Sequence, residues 1–340
     1  MSKRRLLALA AIAFTLSLLP VYETLWRPNI LVGHPARQLF IPHGITFQTL
    51  QQTLQQQGYI ARSTTFRLAA RLLKYDRRVL PGAYQLRPNM SNLTAIRLLR
   101  SGAQQPVKVV LNNVRDKTEL AAKLTSKLEM LAADFEQLLN DPAFVSQYGF
   151  TVENVLTMFV PNTYEVYWTI TPAKLFQRMY QEYQHFWNAQ RRRQAQKIKL
   201  DLQEVSILAS IVQAETNKIT DAPIIAGVYL NRLRKKMALQ SCPTLLYAVG
   251  DPAARRVLHK YQNIDSPYNT YKYRGLPPGP INLPSIAMID AVLNFSAHDY
   301  LYFAAKEDFS GYHHFARSFR EHLRNAKRYQ KALNQIRIYR

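Results

Sequence analysis

The sequence predicts an α+β protein with an N-terminal transmembrane helix, a small α+β domain and a larger mixed helical and strand-containing domain. Three observations lead there. Lys3, Arg4 and Arg5 precede an apolar run from Leu6 to Leu19. Beyond it, short strand-like runs alternate with runs of helical period, and Gly, Pro and Asn punctuate them. The 340 residues are 47% hydrophobic and 20% charged, a globular composition with apolar material for two or three modest domains.

Residues 1–5 form a basic N-terminus and residues 6–26 the expected anchor, extended past Leu19 by Pro20, Val21 and Tyr22 and closed by Trp26. A helix of about 17 residues spans roughly 26 Å, close to the bilayer core and adjustable by tilt or flanking residues. A cleaved signal peptide is the competing reading, but its shorter apolar region should end in a small-x-small site. Pro20, Tyr22 and Glu23 crowd that position, and Tyr22 and Trp26 suit a membrane interface, so an uncleaved anchor is expected. Basic residues before the span put residues 1–5 in the cytoplasm and the rest in the periplasm or cell exterior, on a single-pass protein of the cytoplasmic (inner) membrane.

Forty-five Lys and Arg against 22 Asp and Glu give a formal charge of +23, and the strong positive field calls for an anionic partner. Nucleic acid, anionic lipid and carboxylate-bearing wall polymers all qualify by charge. The expected topology removes nucleic acid and leaves the wall polymer. Cys242, the sole cysteine, forms no intrachain disulfide and excludes Cys-rich metal sites.

Residues 30–104 read as the small domain. Gln38 to Ile41 is strand-like, Pro42-His43-Gly44 turns, and Phe47 to Gln57 is helical up to Gly58. Thr65 to Leu73 is a second helix. Ala83 to Leu86 is a strand, after which Ser91 or Asn92 caps a helix over Leu93 to Arg100. Val107 to Leu111, followed by a helix from near Thr118, echoes the same order; ordinary alternation and internal duplication explain the echoes equally well. Residues 105–200 form a mostly helical connecting part, clearest at Phe135 to Leu139 and Pro172 to Trp187. The basic stretch Gln190 to Lys199 reads as a solvated helix face rather than a polymer contact.

Residues 201–340 carry the chemistry. Leu202 to Thr216 is a helix whose apolar stripe is Val205, Leu208, Ile211 and Val212, and Glu215 falls on that stripe while Gln213 is rotated away. Burial raises a carboxyl pKa and lets it keep a proton for a glycosidic leaving oxygen. A structural glutamate paired with an arginine is the alternative, and periodicity alone does not separate the two. Thr220 or Asp221 caps a second helix with Pro223 in its first turn. Loops follow, with Ser266 to Tyr271 and the stiff, surface-placed Gly275 to Pro280. Tyr and Asn on such loops suit sugars, rings stacking on pyranose faces and amides bonding hydroxyl and acetamido groups.

In order, Ile207-Leu-Ala-Ser-Ile-Val-Gln-Ala-Glu-Thr216, Ile225-Ala-Gly-Val-Tyr-Leu-Asn-Arg-Leu-Arg234, Leu239-Gln240, Ser266-Pro-Tyr-Asn-Thr-Tyr271 and Gly275-Leu-Pro-Pro-Gly-Pro280 resemble the motifs of the YceG-like endolytic murein transglycosylases, the MltG family. The resemblance continues through Tyr300 to Phe303, Gly311 to Phe315 and Glu321-His322. Upstream, Val160 to Tyr164 resembles the family's FPDTY, and residues 38–102 stand where its LysM-like domain does.

The resemblance implies that Glu215 is the catalytic acid and base, in a YceG-like catalytic core over residues 201–340. Asn231, Gln240, Tyr268, Asn269, Tyr271 and Pro278 are the expected substrate-binding residues, and neither metal nor cofactor is expected. Gln213, Asn162, Cys242 and Leu323 stand where the family often has Glu, Asp, Asp and Asn. His313, His314 and His322 match no strong metal-ligand spacing. The implied activity is endolytic cleavage of the β-1,4 bond between N-acetylmuramic acid and N-acetylglucosamine in nascent strands, leaving 1,6-anhydro ends and ending strand elongation. The expected partners are glycan strands, the membrane and peptidoglycan synthases. The rival readings are a non-catalytic wall-binding scaffold for those synthases and a lysozyme-like hydrolase.

Overall fold

The strand-turn-helix order of residues 38–102 builds the first of two units. Arg37–Ile41 (β1) pairs antiparallel with Gly82–Leu86 (β2), placing Leu39 opposite Tyr84. Helices Phe47–Gln56 (α1), Ser63–Leu72 (α2) and Asn92–Ser101 (α3) pack with this hairpin. Thr46 and Ser91 accept hydrogen bonds from the amides of Thr49 and Thr94, capping α1 and α3. Gly102, at φ 69°, closes α3 in the left-handed conformation that other residues adopt at a cost. Leu39, Ile41, Leu50, Leu54, Phe66, Tyr84, Ile96 and Leu99 form the core.

The computed structural model describes residues 15, 17–33, 36–250 and 259–335. The expected cytoplasmic N-terminus and residues 6–14 and 16 of the expected anchor lie outside the described residues. Residues 17–25 are helical, and no described helix is long and apolar enough to cross a membrane. The end of this helical stretch is fastened into the first unit by a buried amide pair. Asn92 donates to the carbonyl of Thr24 (2.9 Å) and accepts from Asn29 (2.7 Å), and Asn29 in turn accepts from the amide of Arg62 (2.7 Å).

The second unit comprises residues 110–126, 131–164 and 172–340; the remaining residues belong to the first. Val107–Leu111 (β3) and Asn162–Val166 (β4) form a two-stranded sheet. Helices Lys117–Thr125 (α4), Ala132–Leu139 (α5), Pro142–Ser146 (α6) and Pro172–Phe186 (α7) follow. Phe135, Phe144, Tyr148 and Phe159 gather their rings around Phe176. The basic stretch is Ala189–Ile198 (α8), where Arg191 pairs with Asp290 (3.1 Å).

Leu202–Glu215 (α9) opens with a capping box in which Asp201 and Glu204 each accept the other's backbone amide. Every residue from Val205 to Val212 is buried, so the helix is covered all round and not along one stripe alone. The cause is its central place: Ala222–Arg234 (α10), Cys242–Val249 (α11) and Ile286–Leu293 (α12) all pack on it. Tyr302–Ala305 (β5) and His313–Ala316 (β6) pair antiparallel, and Phe319–Gln335 (α13) packs against them.

The segment Gly275 to Pro280 differs from the surface loop expected of it. Pro277, Gly279 and Pro280 are buried and only Pro278 is exposed. Gly279 explains this, because a Cβ there would lie 2.0 Å from the carbonyl oxygen of Glu153, so the lack of a side chain lets the loop close against the body. Ser210 and Gln213 hold the chain beyond it. The Ser210 hydroxyl accepts from the amide of Ile281 (3.1 Å), while Gln213 donates to Asn282 (2.9 Å) and accepts from the amide of Ser285 (2.7 Å).

Candidate functional site

Glu215 is the last residue of α9, and Thr216 turns the chain to an extended conformation directly after it. Tyr229, from α10, and Ser241, just before α11, each donate a hydroxyl hydrogen bond to Glu215 Oε1 at 2.7 Å. Ser241 is set by Thr270, whose hydroxyl accepts the Ser241 amide (3.0 Å) and whose carbonyl accepts that of Gln240 (3.0 Å). Gln240 reaches this register at φ 51°, a left-handed conformation uncommon outside glycine.

Arg232 is buried beside them. Its guanidinium donates to the carbonyls of Leu301 (2.7 Å), Ala238 (3.1 Å) and Leu239 (2.9 Å) and to Gln240 Oε1 (3.3 Å). It therefore fixes the approach to Ser241 and the start of the β5 segment at once.

Burial pushes the Glu215 carboxyl above its ordinary pKa, against the opposing pull of the Tyr229 and Ser241 hydrogen bonds and the positive potential of His313 and Arg232. The side chain is surrounded densely by protein atoms and still opens on one side, because it lines a cleft of about 310 Å³. Tyr229, Arg232, Gln240, Cys242 and Tyr271 also line that cleft, and Tyr302, Phe303, Phe319 and His322 give it an aromatic wall. Glu215 is the one carboxylate among the described residues lining it. The Cys242 thiol, 3.2 Å from the Tyr271 hydroxyl, is pushed up by desolvation although the residue faces the cleft, which keeps it protonated.

Of the residues expected from sequence, Glu215, Gln240 and Tyr271 meet in this cleft. Asn231 is turned away, donating to the carbonyls of His298 (2.7 Å) and Tyr300 (3.1 Å). Asn269 is fully buried, donating to the carbonyls of Gln262 and Ile264 and accepting from the amide of Tyr271. Tyr268 packs its ring against Tyr247, and Pro278 is exposed; neither lines the cleft.

Tyr229, Ser241, Arg232 and the aromatic wall were not singled out from sequence. One signal was there for Tyr229: a hydroxyl on an otherwise aliphatic buried helix face needs an acceptor, and Glu215 supplies it. The three histidines go separate ways. His313 bonds Asp221 (3.1 Å), His314 bonds Glu307 (2.7 Å), and His322 stacks on Tyr302.

An all-round buried helix ending in a single carboxyl, walled by tyrosines and an antiparallel hairpin, is the setting in which the comparisons fall. The chain belongs to the YceG-like family, which matches residues 39–328. It is 41% identical over 139 residues to an endolytic murein transglycosylase of Bacillus subtilis, covering 41% of this chain and 38% of that protein. It is 29% identical over 318 residues to an endolytic murein transglycosylase of Streptococcus pneumoniae, covering 84% of this chain and 57% of that one. The chain thus spans about half the length of the curated relatives it matches or less. A crystal structure of a YceG-like protein from Listeria monocytogenes superposes with a TM-score of 0.57 at 27% identity, covering 86% of this chain and 99% of that one.

Proposed function

We propose that this protein is an endolytic lytic transglycosylase that cuts the β-1,4 bond between N-acetylmuramic acid and N-acetylglucosamine in nascent peptidoglycan. The observation that carries the reading is the Glu215 carboxyl, raised in pKa by burial, bonded by two hydroxyls on one oxygen and open to a cleft with a sugar-suited aromatic wall. The names of the Bacillus and Streptococcus relatives support it.

Protonated Glu215 gives its proton to the bridging oxygen as the bond from that oxygen to muramyl C1 breaks. The C6 hydroxyl of the same muramyl residue then bonds C1 and returns its proton to Glu215. No water is consumed, and the product ends in a 1,6-anhydro ring. A two-carboxylate glycosidase requires a second acid as nucleophile or base; here the substrate's own hydroxyl takes that part, which suits a cleft with one carboxylate among the described residues lining it.

Gln240 and Tyr271 contact the glycan, while Asn231, Tyr268, Asn269 and Pro278 shape the loops behind them. Residues 6–26 anchor the protein in the cytoplasmic membrane, with the N-terminus in the cytoplasm, and residues 30–104 serve as a LysM-like module. The catalytic part then works outside the membrane beside peptidoglycan synthases, terminating strand growth. The anionic polymer suits the formal charge of +23.

Digestion of purified peptidoglycan by the wild type and by Glu215→Gln, with mass spectrometry of the new ends, tests this. Anhydro ends should appear with the wild type and vanish with the variant. Ends heavier by one water would make the protein a hydrolase. Glycan binding with no cutting by either form would make it a scaffold, and equal cutting by both would remove Glu215 from the chemistry.

A further inference from the structure

A second cavity of about 500 Å³ lies beside the Glu215 cleft, lined by Gln240, Gln262, Asn263, Tyr271 and Lys272. Gln240 and Tyr271 are walls of both, so a polymer bound at Glu215 has this space directly alongside it. The two cavities differ in chemistry. The first has its aromatic wall, whereas among the five described residues lining the second, three side chains end in carboxamides and a fourth in an ammonium group.

Two of these side chains, Gln240 and Lys272, and the backbone under Gln262 and Asn263 are held in place before any ligand arrives. Arg232 donates to Gln240 Oε1 (3.3 Å), which fixes the amide's direction and leaves its two N–H donors free of that contact. Fully buried Asn269 clamps the backbone behind Gln262 and Asn263 by donating to the carbonyls of Gln262 (2.9 Å) and Ile264 (2.8 Å). Lys272 is steadied by Asp265 (2.9 Å), whose carboxylate also accepts the Tyr273 hydroxyl. That contact uses one of the three ammonium donors. Side chains ordered in advance bind with less loss of conformational entropy.

We propose that this second cavity receives the peptide stem of the muramyl residue, with Gln262 and Asn263 reading its amide groups and Lys272 a stem carboxylate. The proposal rests on the glycan-cutting reading of the Glu215 cleft. The acetamido groups of the sugars also present secondary amides. They carry no charge for Lys272 to meet and fill only a small part of about 500 Å³, so the stem is the better occupant. Strands are thereby cut where stems are still attached, and stem-free glycan is a poor substrate.

The test compares kcat/KM on uncross-linked strands bearing stems with kcat/KM on the same strands after an amidase has removed them. The full-length wild type should favour stem-bearing strands by roughly tenfold, the return of about one net hydrogen bond. In Asn263→Ala and Lys272→Gln the ratio should fall toward unity. A misfolded fraction lowers both rates together and leaves the ratio alone. Equal wild-type rates on the two substrates, or a ratio that the variants leave unchanged, would overturn the subsite. If the wild type cuts neither strand, the glycan-cutting reading fails, and the subsite is judged by calorimetry with Glu215→Gln. There a stem-bearing disaccharide should bind roughly tenfold tighter than the stem-free one. Equal affinities would sink the proposal.

Discussion

Replacing Tyr229 by Phe removes one of the two hydroxyls that Glu215 Oε1 accepts and alters little else, since Tyr229 is only 2% exposed and Phe fills its volume. A hydrogen bond to an ionised group contributes about 1.5–3 kcal/mol. In the proposed mechanism its loss falls on the carboxylate form, which exists between proton donation and proton return. The barrier to donation should rise accordingly, and the rate should drop by roughly one to two orders of magnitude. The pH dependence has a definite sign. The bond from Tyr229 lowers the Glu215 pKa against the larger effect of burial, so removing it moves the alkaline limb of kcat/KM to higher pH. The assay is anhydro-end formation across an acid-to-alkaline series for wild type, Tyr229→Phe, Ser241→Ala and the double variant. Both hydroxyls serve one oxygen, so the double-mutant cycle should show coupling. A Tyr229→Phe enzyme with wild-type rate and an unmoved alkaline limb would refute the assigned role.

Glu215→Gln should stabilise the fold in a pH-dependent way. The folded-state pKa lies above the ordinary 4.5, so the buried carboxylate penalises folding fully above its raised pKa and the penalty disappears as pH falls below the ordinary value. The Tm gain of the variant should therefore be larger in alkaline than in acid buffer, and a pH-independent gain would contradict this. Gly279→Ala should lower stability by about 3 kcal/mol or more, because the new methyl meets the Glu153 carbonyl at 2.0 Å; denaturant unfolding measures it. Asn92→Ala should destabilise the first unit by about 2–4 kcal/mol, leaving the Thr24 carbonyl and the Asn29 amide without their buried partner. Hydrogen exchange at residues 24–30 reports it locally.

Elements with strong local signals were legible to within a residue or two. β1, α1, β2 and α3 follow from alternation, helical period and the Ser91 cap, and α10 from Pro223 in its first turn. Strands β4, β5 and β6 were not read from local pattern, since four or five residues with aromatics and histidines carry no clear alternation. In the site, a carboxylate on an apolar stripe drew attention to Glu215, and the resemblance of the motifs around it, not periodicity, gave it a catalytic role. Ser241 was not, because its meaning comes from Thr270 and Arg232, which tertiary structure brings beside it. Asn231 and Asn269 illustrate the converse. Their amides suit a sugar by type, and the fold turns them to backbone carbonyls instead.

The convergence of Tyr229 and Ser241 on a single oxygen makes the carboxyl asymmetric. With Oε1 already serving two donors as the carbonyl-like oxygen, the proposed mechanism puts the exchangeable proton on Oε2. Donation and recovery then pass through one doorway. In the proposed reaction the departing bridging oxygen has to clear that point before the C6 hydroxyl can occupy it, so the two proton transfers are ordered in time by simple occupancy. The C6 hydroxyl sits on the same ring face as the departing oxygen in this proposed reaction, so the sugar's own geometry returns the new bond to that face and preserves the anomeric configuration without a second protein group.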